Sequence, residues 1–261
     1  MSHYSLATTA LGNGSGVLLA HGAGSTVNES YGPLLDTLAA RHRVVGADYP
    51  GSGASPAVEG PLSLDELADS LVAAADADGL QRFAVVGYSL GGLVALRVAE
   101  RHPQRVSALV LTATSGTPPT STRLLAGAIQ ALHADPAARP ALARVMTALA
   151  LSSQTLESLP AEQLEAMIGG LAQGLPAGTG QQFGIGSAPG LRANLASISV
   201  PTLVVVTTQD RIMPPEAQRA LAAGIAGAET VEIPSGHLIG MEAGEPWRDA
   251  VSGFLARVGA K

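Results

Sequence analysis

Residues 83–92 read Phe83-Ala84-Val85-Val86-Gly87-Tyr88-Ser89-Leu90-Gly91-Gly92. A strand-length apolar run leads into a glycine-flanked serine, and the following residues begin an amphipathic helix that His102-Pro103 stops near residue 101. So tight a strand-to-helix turn forces its middle residue into strained backbone geometry. Its flanking positions must be small, because side chains there would collide with the strand and the helix. The Ser89 hydroxyl is thereby lifted clear of the sheet at a helix N-terminus. A bare G-x-S-x-G recurs by chance; strand before and helix after give it meaning, and the pattern occurs once in the chain.

Outward from this turn, short apolar runs at 17–20, 43–47, 106–111, 203–206 and 230–233 join 83–86 as predicted strands. They lack polar alternation, as parallel strands covered on both faces should. Helical spacing recurs at 62–77, behind Pro61, and at 90–101, 214–223 and 246–257. Strand then helix, repeated, predicts an α/β fold with a mostly parallel, doubly wound sheet. Residues 116–197 break the rhythm: helical patches at 124–133, 141–151 and 161–171 precede a Gly- and Pro-rich 174–190, with no convincing strand. That length is too great for a simple connection. The expected organisation is a core of residues 1–115 and 198–261 with residues 116–197 as an inserted α-helical cap.

A serine hydroxyl needs a base to become a nucleophile. Of six histidines, His237 follows the last predicted strand in Pro234-Ser235-Gly236-His237, at the carboxyl end of the sheet where ligands meet such folds. A carboxylate should fix its tautomer. Asp210 lies just past the strand at 203–206, whereas no Asp or Glu occurs between Glu100 and Asp135 to serve after the strand at 106–111. As an N-cap for the helix near Pro214, Asp210 would have a purely structural role, but that leaves the Ser–Asp–His order unexplained. Oxyanion donors are expected from the backbone N–H groups of Leu90 and of Ala23, the latter in the loop His21-Gly22-Ala23-Gly24. His21 itself reads as a structural residue holding that loop, with no second ligand at metal-binding spacing.

These residues, in this order, resemble the α/β-hydrolase fold superfamily in its single-domain bacterial branch with a helical cap. The resemblance rests on His21-Gly22, on Asp48-Tyr49-Pro50-Gly51-Ser52-Gly53-Ala54-Ser55 and on Gly87-Tyr88-Ser89-Leu90-Gly91-Gly92. It continues in Thr208-Gln209-Asp210-Arg211-Ile212-Met213-Pro214 and Gly236-His237, and so spans most of the chain outside the cap. It implies Ser89 as nucleophile, His237 as base and Asp210 as acid. Related dehalogenases and epoxide hydrolases carry aspartate where this chain has Ser89, whereas cofactor-free haloperoxidases keep the serine. The same scaffold serves lyases and hormone receptors, so these residues license acyl or carbonyl chemistry without fixing the reaction. The leading expectation is hydrolysis of an ester, thioester or lactone through an acyl-Ser89 intermediate. The alternatives are a non-hydrolytic enzyme (lyase, elimination catalyst or cyclase), a haloperoxidase-like perhydrolase and a binding protein that keeps the site for a ligand.

Composition sets the surroundings of that chemistry. Lys+Arg 15 against Asp+Glu 21 gives a net charge of −6 without basic clusters, which argues against nucleic acid. Cys 0 removes disulfides, thiolate metal sites and cysteine nucleophiles. The first residues lack a basic start and apolar stretch of a secretion signal, and apolar runs are too short to span a membrane. A cytoplasmic monomer or weak homo-oligomer acting on a small molecule, without cofactor or metal, is expected. Aromatic content is 3%, so a cap-lined pocket would be aliphatic and adaptable. Candidate substrate contacts are Tyr88, Tyr31, Leu124, Met146 and Met167, with Asn28 beside the oxyanion loop.

Overall fold

The structure is a computed structural model and describes residues 3–259. Residues 1 and 2, in the stretch read for a secretion signal, and 260 and 261, in the expected core segment, lie outside it. The strands are β1 (Thr8–Leu11), β2 (Ser15–Ala20), β3 (His42–Ala47), β4 (Phe83–Tyr88), β5 (Val106–Thr112), β6 (Thr202–Thr207) and β7 (Glu229–Ile233). They form one sheet in the order β1-β3-β2-β4-β5-β6-β7. β1 pairs antiparallel with β3, and every other pairing is parallel.

Helices connect and cover these strands: α1 (Val27–Ala39), α2 (Leu64–Ala77), α3 (Leu90–Arg101), α4 (Thr120–His133), α5 (Arg139–Ala150), α6 (Ser153–Ser158), α7 (Ala161–Gly174), α8 (Thr179–Ser187), α9 (Pro215–Gly224), α10 (Ile239–Glu242) and α11 (Gly244–Gly259). Successive strand residues point to opposite faces, so the unbroken apolar runs feed two cores at once. Leu18, Val85, Leu109 and Val204 pack with Leu67 and Leu71 of α2, Val94 of α3 and Leu221 of α9. Leu19, Val86, Val110 and Val205 pack on the other face with Tyr31 and Leu34 of α1 and Trp247 and Phe254 of α11. Each fully buried Val or Leu contributes about 1.5–3 kcal/mol on leaving water, and the buried polar residues of the central strands β5 and β6, Thr112, Thr202 and Thr207, lie at strand ends.

The structure adds elements that the sequence pattern did not announce. α1 is nucleated by a capping box in which Thr26 and Glu29 satisfy each other's backbone N–H, but Gly32 and Pro33 interrupt its apolar spacing. β1 is a short, largely exposed edge strand without an apolar run. β4 continues two residues past 86, to Tyr88. Between β5 and β6, residues 116–197 contain helices α4 to α8 and no strand among the described residues. Their own core is small, centred on Ile129, Leu142 and Leu175. Among the described residues no helix is long and apolar enough to cross a membrane.

Candidate active site

β4 ends at Tyr88 and α3 starts at Leu90, so Ser89 alone makes the turn, with φ 55 and ψ −119. L-residues avoid that region, and its strain persists only because the surroundings over-determine it. A Cβ on Gly91 would strike the carbonyl oxygens of Ala20 and His21, and one on Gly92 would strike Thr114. The glycines thus let α3 begin directly against the end of β2. Ser89 also lies beside the loop that follows β2, and the Leu90 N–H, in the first turn, has no intrahelical partner.

The structure brings Ser89, His237 and Asp210 together. His237 Nε2 lies 2.9 Å from Ser89 Oγ, and His237 Nδ1 lies 2.7 Å from Asp210 Oδ2. An Nδ1–H donating to the carboxylate leaves the Nε2 lone pair to accept the serine proton. Asp210 is buried and fully engaged. Its Oδ1 accepts the N–H groups of Ile212 and Met213 at 2.9 and 2.8 Å, and its Oδ2 also accepts the Thr207 hydroxyl at 2.9 Å. Gln218 of α9, itself fully buried, accepts the Thr207 N–H at 3.0 Å and donates to Thr207 Oγ1 and the Met213 carbonyl. The Tyr88 hydroxyl donates to the His237 carbonyl at 2.6 Å, and Glu242 accepts the N–H groups of Gly236 and Ser152, at 2.9 and 2.8 Å. Gln218 and Glu242 carry no motif of their own; only the chain's path through space reveals them.

The loop after β2 is held from below. The His21 ring stacks on Tyr49 at 3.8 Å, donates from Nδ1 to the Gly22 carbonyl and accepts the Tyr49 N–H at Nε2. Burial lowers its pKa to about 4, so it stays neutral. From above, Gln182 of α8 accepts the Gly24 N–H at 2.8 Å and donates to Pro50 O and Ser52 Oγ. The Gly22 N–H is taken by Ser30 Oγ. Among the described hydrogen bonds the Ala23 N–H, between these two anchored neighbours, has no acceptor.

A cavity of about 630 Å³ opens on this arrangement, bordered by Ala23, Ser89 and His237 below and by Met146, Met167 and Phe183 from residues 116–197. Tyr88 also borders it. Two expected contacts are corrected. Tyr31 is 0% exposed beneath the sheet's end, where its hydroxyl donates to the carbonyls of Ala20 and Val86, so it faces the core. Leu124 is 71% exposed, because α4 turns Leu125 and Ala126, not Leu124, toward the protein. Asn28 is likewise exposed on α1. Arg211, beside Asp210, donates to the carbonyls of Ala148 and Leu151 at 2.5 and 2.7 Å, and Leu238 N–H, beside His237, donates to Ala150 O, so the end of α5 is tied to the loops after β6 and β7. Among the described residues no cluster of three or more His, Cys, Asp or Glu side chains could hold a metal ion.

The family model for the alpha/beta hydrolase fold matches residues 17–244. A pimeloyl-[acyl-carrier protein] methyl ester esterase of Chromobacterium violaceum is 32% identical over 86% of this chain and 87% of its own length. Pyrrolizixenacetamide deacetylase of Xenorhabdus hominickii is 27% identical over 94% and 92%. Among solved structures, a thermophilic esterase from Thermogutta terrifontis superposes with a TM-score of 0.83 at 26% identity, covering 97% of this chain and 93% of that one. By family match, relatives and sheet topology together, the chain is an enzyme of the α/β-hydrolase fold family.

Proposed function

We propose that the protein is a serine hydrolase that cleaves an ester, thioester or lactone of a small-to-medium, mainly aliphatic molecule through an acyl-Ser89 intermediate. The observation that carries this reading is the hydrogen-bonded line from Ser89 Oγ through His237 to Asp210, opening onto a largely apolar cavity. His237 takes the Ser89 proton as Oγ attacks the substrate carbonyl, and Asp210 stabilises the imidazolium. The oxyanion is held by the N–H groups of Leu90 and Ala23. His237 then protonates the leaving oxygen or sulfur, and water repeats the steps to release the acid and free Ser89. Residues 116–197 act as the cap that covers this site and supplies its aliphatic wall. That relatives are named as an esterase and a deacetylase supports carbonyl chemistry of carboxylic acid derivatives.

The test is intact-mass detection of a fluorophosphonate adduct. Wild type should gain one label and Ser89→Ala none, with ester turnover falling by several orders of magnitude. Labelling that survives Ser89→Ala removes Ser89 as the nucleophile.

A further inference from the structure

Ser89 stands at the junction of two cavities of very unequal size. The larger, about 630 Å³, has His237 in its wall. The smaller, about 50 Å³, has Leu90 in its wall and not His237. Ala23, Phe183 and Ile212 border both, so a substrate carbonyl at Ser89 has one substituent facing each chamber.

We propose that the small chamber receives the acyl chain and favours chains of about two carbons, while the large chamber takes the leaving group. The inference rests on the acyl-Ser89 reading above. Its direction follows from where the proton must go. When the bond from the acyl carbon to the leaving oxygen breaks, that oxygen takes the proton that His237 received from Ser89, so the leaving group lies on the His237 side. The acyl chain, now bonded to Ser89 Oγ with its oxyanion toward Leu90 and Ala23, extends the other way, into the chamber without His237. Water then enters from the side the leaving group has vacated, its oxygen bonds to the acyl carbon, and Ser89 Oγ recovers its proton through His237.

The lining fits an alkyl group. Leu93, Leu125 and Ala126 are apolar, and the polar side chains at the edge are already engaged. Thr122 Oγ1 donates to the Ile212 carbonyl at 2.7 Å, and Gln182 serves Gly24, Pro50 and Ser52. A charged acyl tail would find no partner there. A cavity of about 150 Å³ takes one benzene, so a volume near 50 Å³ holds about two carbons. The larger chamber falls in the range of pockets that enclose whole small molecules. The substrate class is therefore a short-chain acyl ester or thioester of a bulky, mainly apolar alcohol or thiol.

The test compares kcat/KM for p-nitrophenyl acetate, butanoate and octanoate and follows acyl-Ser89 by intact mass. Wild type should prefer acetate over octanoate by about tenfold or more, with butanoate between them. Leu125→Ala, which lengthens the small chamber, should raise the octanoate-to-acetate ratio by about fivefold or more. Ala126→Val, which shortens it, should lower the butanoate-to-acetate ratio, and opposite shifts cannot arise from misfolding. Met167→Ala, in the large chamber, should change discrimination between phenyl and ethyl acetate rather than between acyl lengths. Octanoate processed as fast as acetate, or acyl-length ratios that follow Met167 instead of Leu125 and Ala126, overturns the chamber assignment alone. Absence of turnover with all three esters, together with absence of Ser89-dependent fluorophosphonate labelling, removes the hydrolase reading and this inference with it.

Discussion

At the scale of single residues, two buried polar side chains are set for opposite tasks. Asp210 accepts from His237, Thr207, Ile212 and Met213, so no oxygen lone pair faces a void. In Asp210→Asn the two loop N–H groups keep Oδ1 as their acceptor, which turns the amide NH2 toward His237. That NH2 donates to Nδ1, pushes the ring proton to Nε2 and leaves nothing to accept the Ser89 proton. On the proposed mechanism kcat falls about 10⁴-fold with the fold intact, measured by ester turnover beside circular dichroism; near-normal kcat would contradict the role given to the carboxylate. His21 holds structure instead. Its pKa is lowered to about 4 by burial, so between pH 6.5 and about 4 the unfolded chain binds a proton that the folded chain refuses. Stability is unaffected by this group above pH 6.5, declines as the pH drops through that window and has lost about 3 kcal/mol below it. Urea unfolding at stepped pH should show this decline in wild type and a flatter curve for His21→Gln, which does not titrate. Parallel curves would show that the proton uptake lies elsewhere.

At the scale of elements, α8 links the two halves of the site although its sequence barely announces a helix. Gly178, Gly180, Gly184 and Gly186 in and beside it weaken helical propensity, which is why residues 174–190 read as a Gly- and Pro-rich connection. The glycines allow close approach: a Cβ on Gly178 would collide with the Pro50 carbonyl, and one on Gly184 would crowd Gln130. That closeness puts Gln182 between the loop after β2 and the loop after β3. Gln182→Met keeps the volume but leaves the Gly24 N–H without its acceptor and removes the donor to Pro50 and Ser52. Stability should fall by about 2–4 kcal/mol in denaturant unfolding, and Ser89 should label more slowly with fluorophosphonate as the Ala23 N–H loses its fixed position. Unchanged labelling would mean that Ser30 and His21 alone hold the loop. The same element marks the limit of sequence reading. Strands β2 to β6 and the turn at Ser89 were legible because apolar runs and a glycine-flanked serine are local signals; β7 was read as covered on both faces, but its Thr230-Val231-Glu232-Ile233 lies exposed except at Ile233. Chain order and strand ends sufficed to expect His237 and Asp210 beside Ser89, where the fold brings them together. Tyr31 and Leu124 were misplaced because a side chain's direction on α1 and α4 depends on helix rotation, which Pro33 and a mixed apolar pattern obscure. Gln182, Gln218 and Glu242 left no signal, since their partners lie far away in sequence or in loops whose course only the fold sets.

At the scale of the whole molecule, cohesion is unevenly distributed. The sheet is sandwiched between two large apolar cores, and its central strands are buried on both faces. Residues 116–197 rest on a core of Ile129, Leu142 and Leu175, with Met146, Leu171 and Phe183 packed against it while also facing a cavity. Side chains that border empty space lose contacts on that side, so the helices α4 to α8 are held by less burial per residue than the sheet. They attach to the sheet domain through Ile185 of α8, which packs into the main core, and through polar ties that include Gln182 to the β2 and β3 loops, Arg211 to the end of α5 and Glu242 to Ser152. Regions with few apolar contacts open locally at lower free energy than the global unfolding transition. Hydrogen exchange followed by mass spectrometry at neutral pH should therefore show peptides from α4, α5 and α7 exchanging orders of magnitude faster than those from β4 and β5, which exchange only on global unfolding. A covalent adduct on Ser89 that fills the large cavity should slow exchange in α5 and α7, where Met146 and Met167 would gain a packing partner, and leave β4 and β5 unchanged. Equal protection across both regions in the free protein would show that the helical segment unfolds only with the sheet. Substrate entry would then have to use the existing mouth of the cavity without any opening of the helices above it.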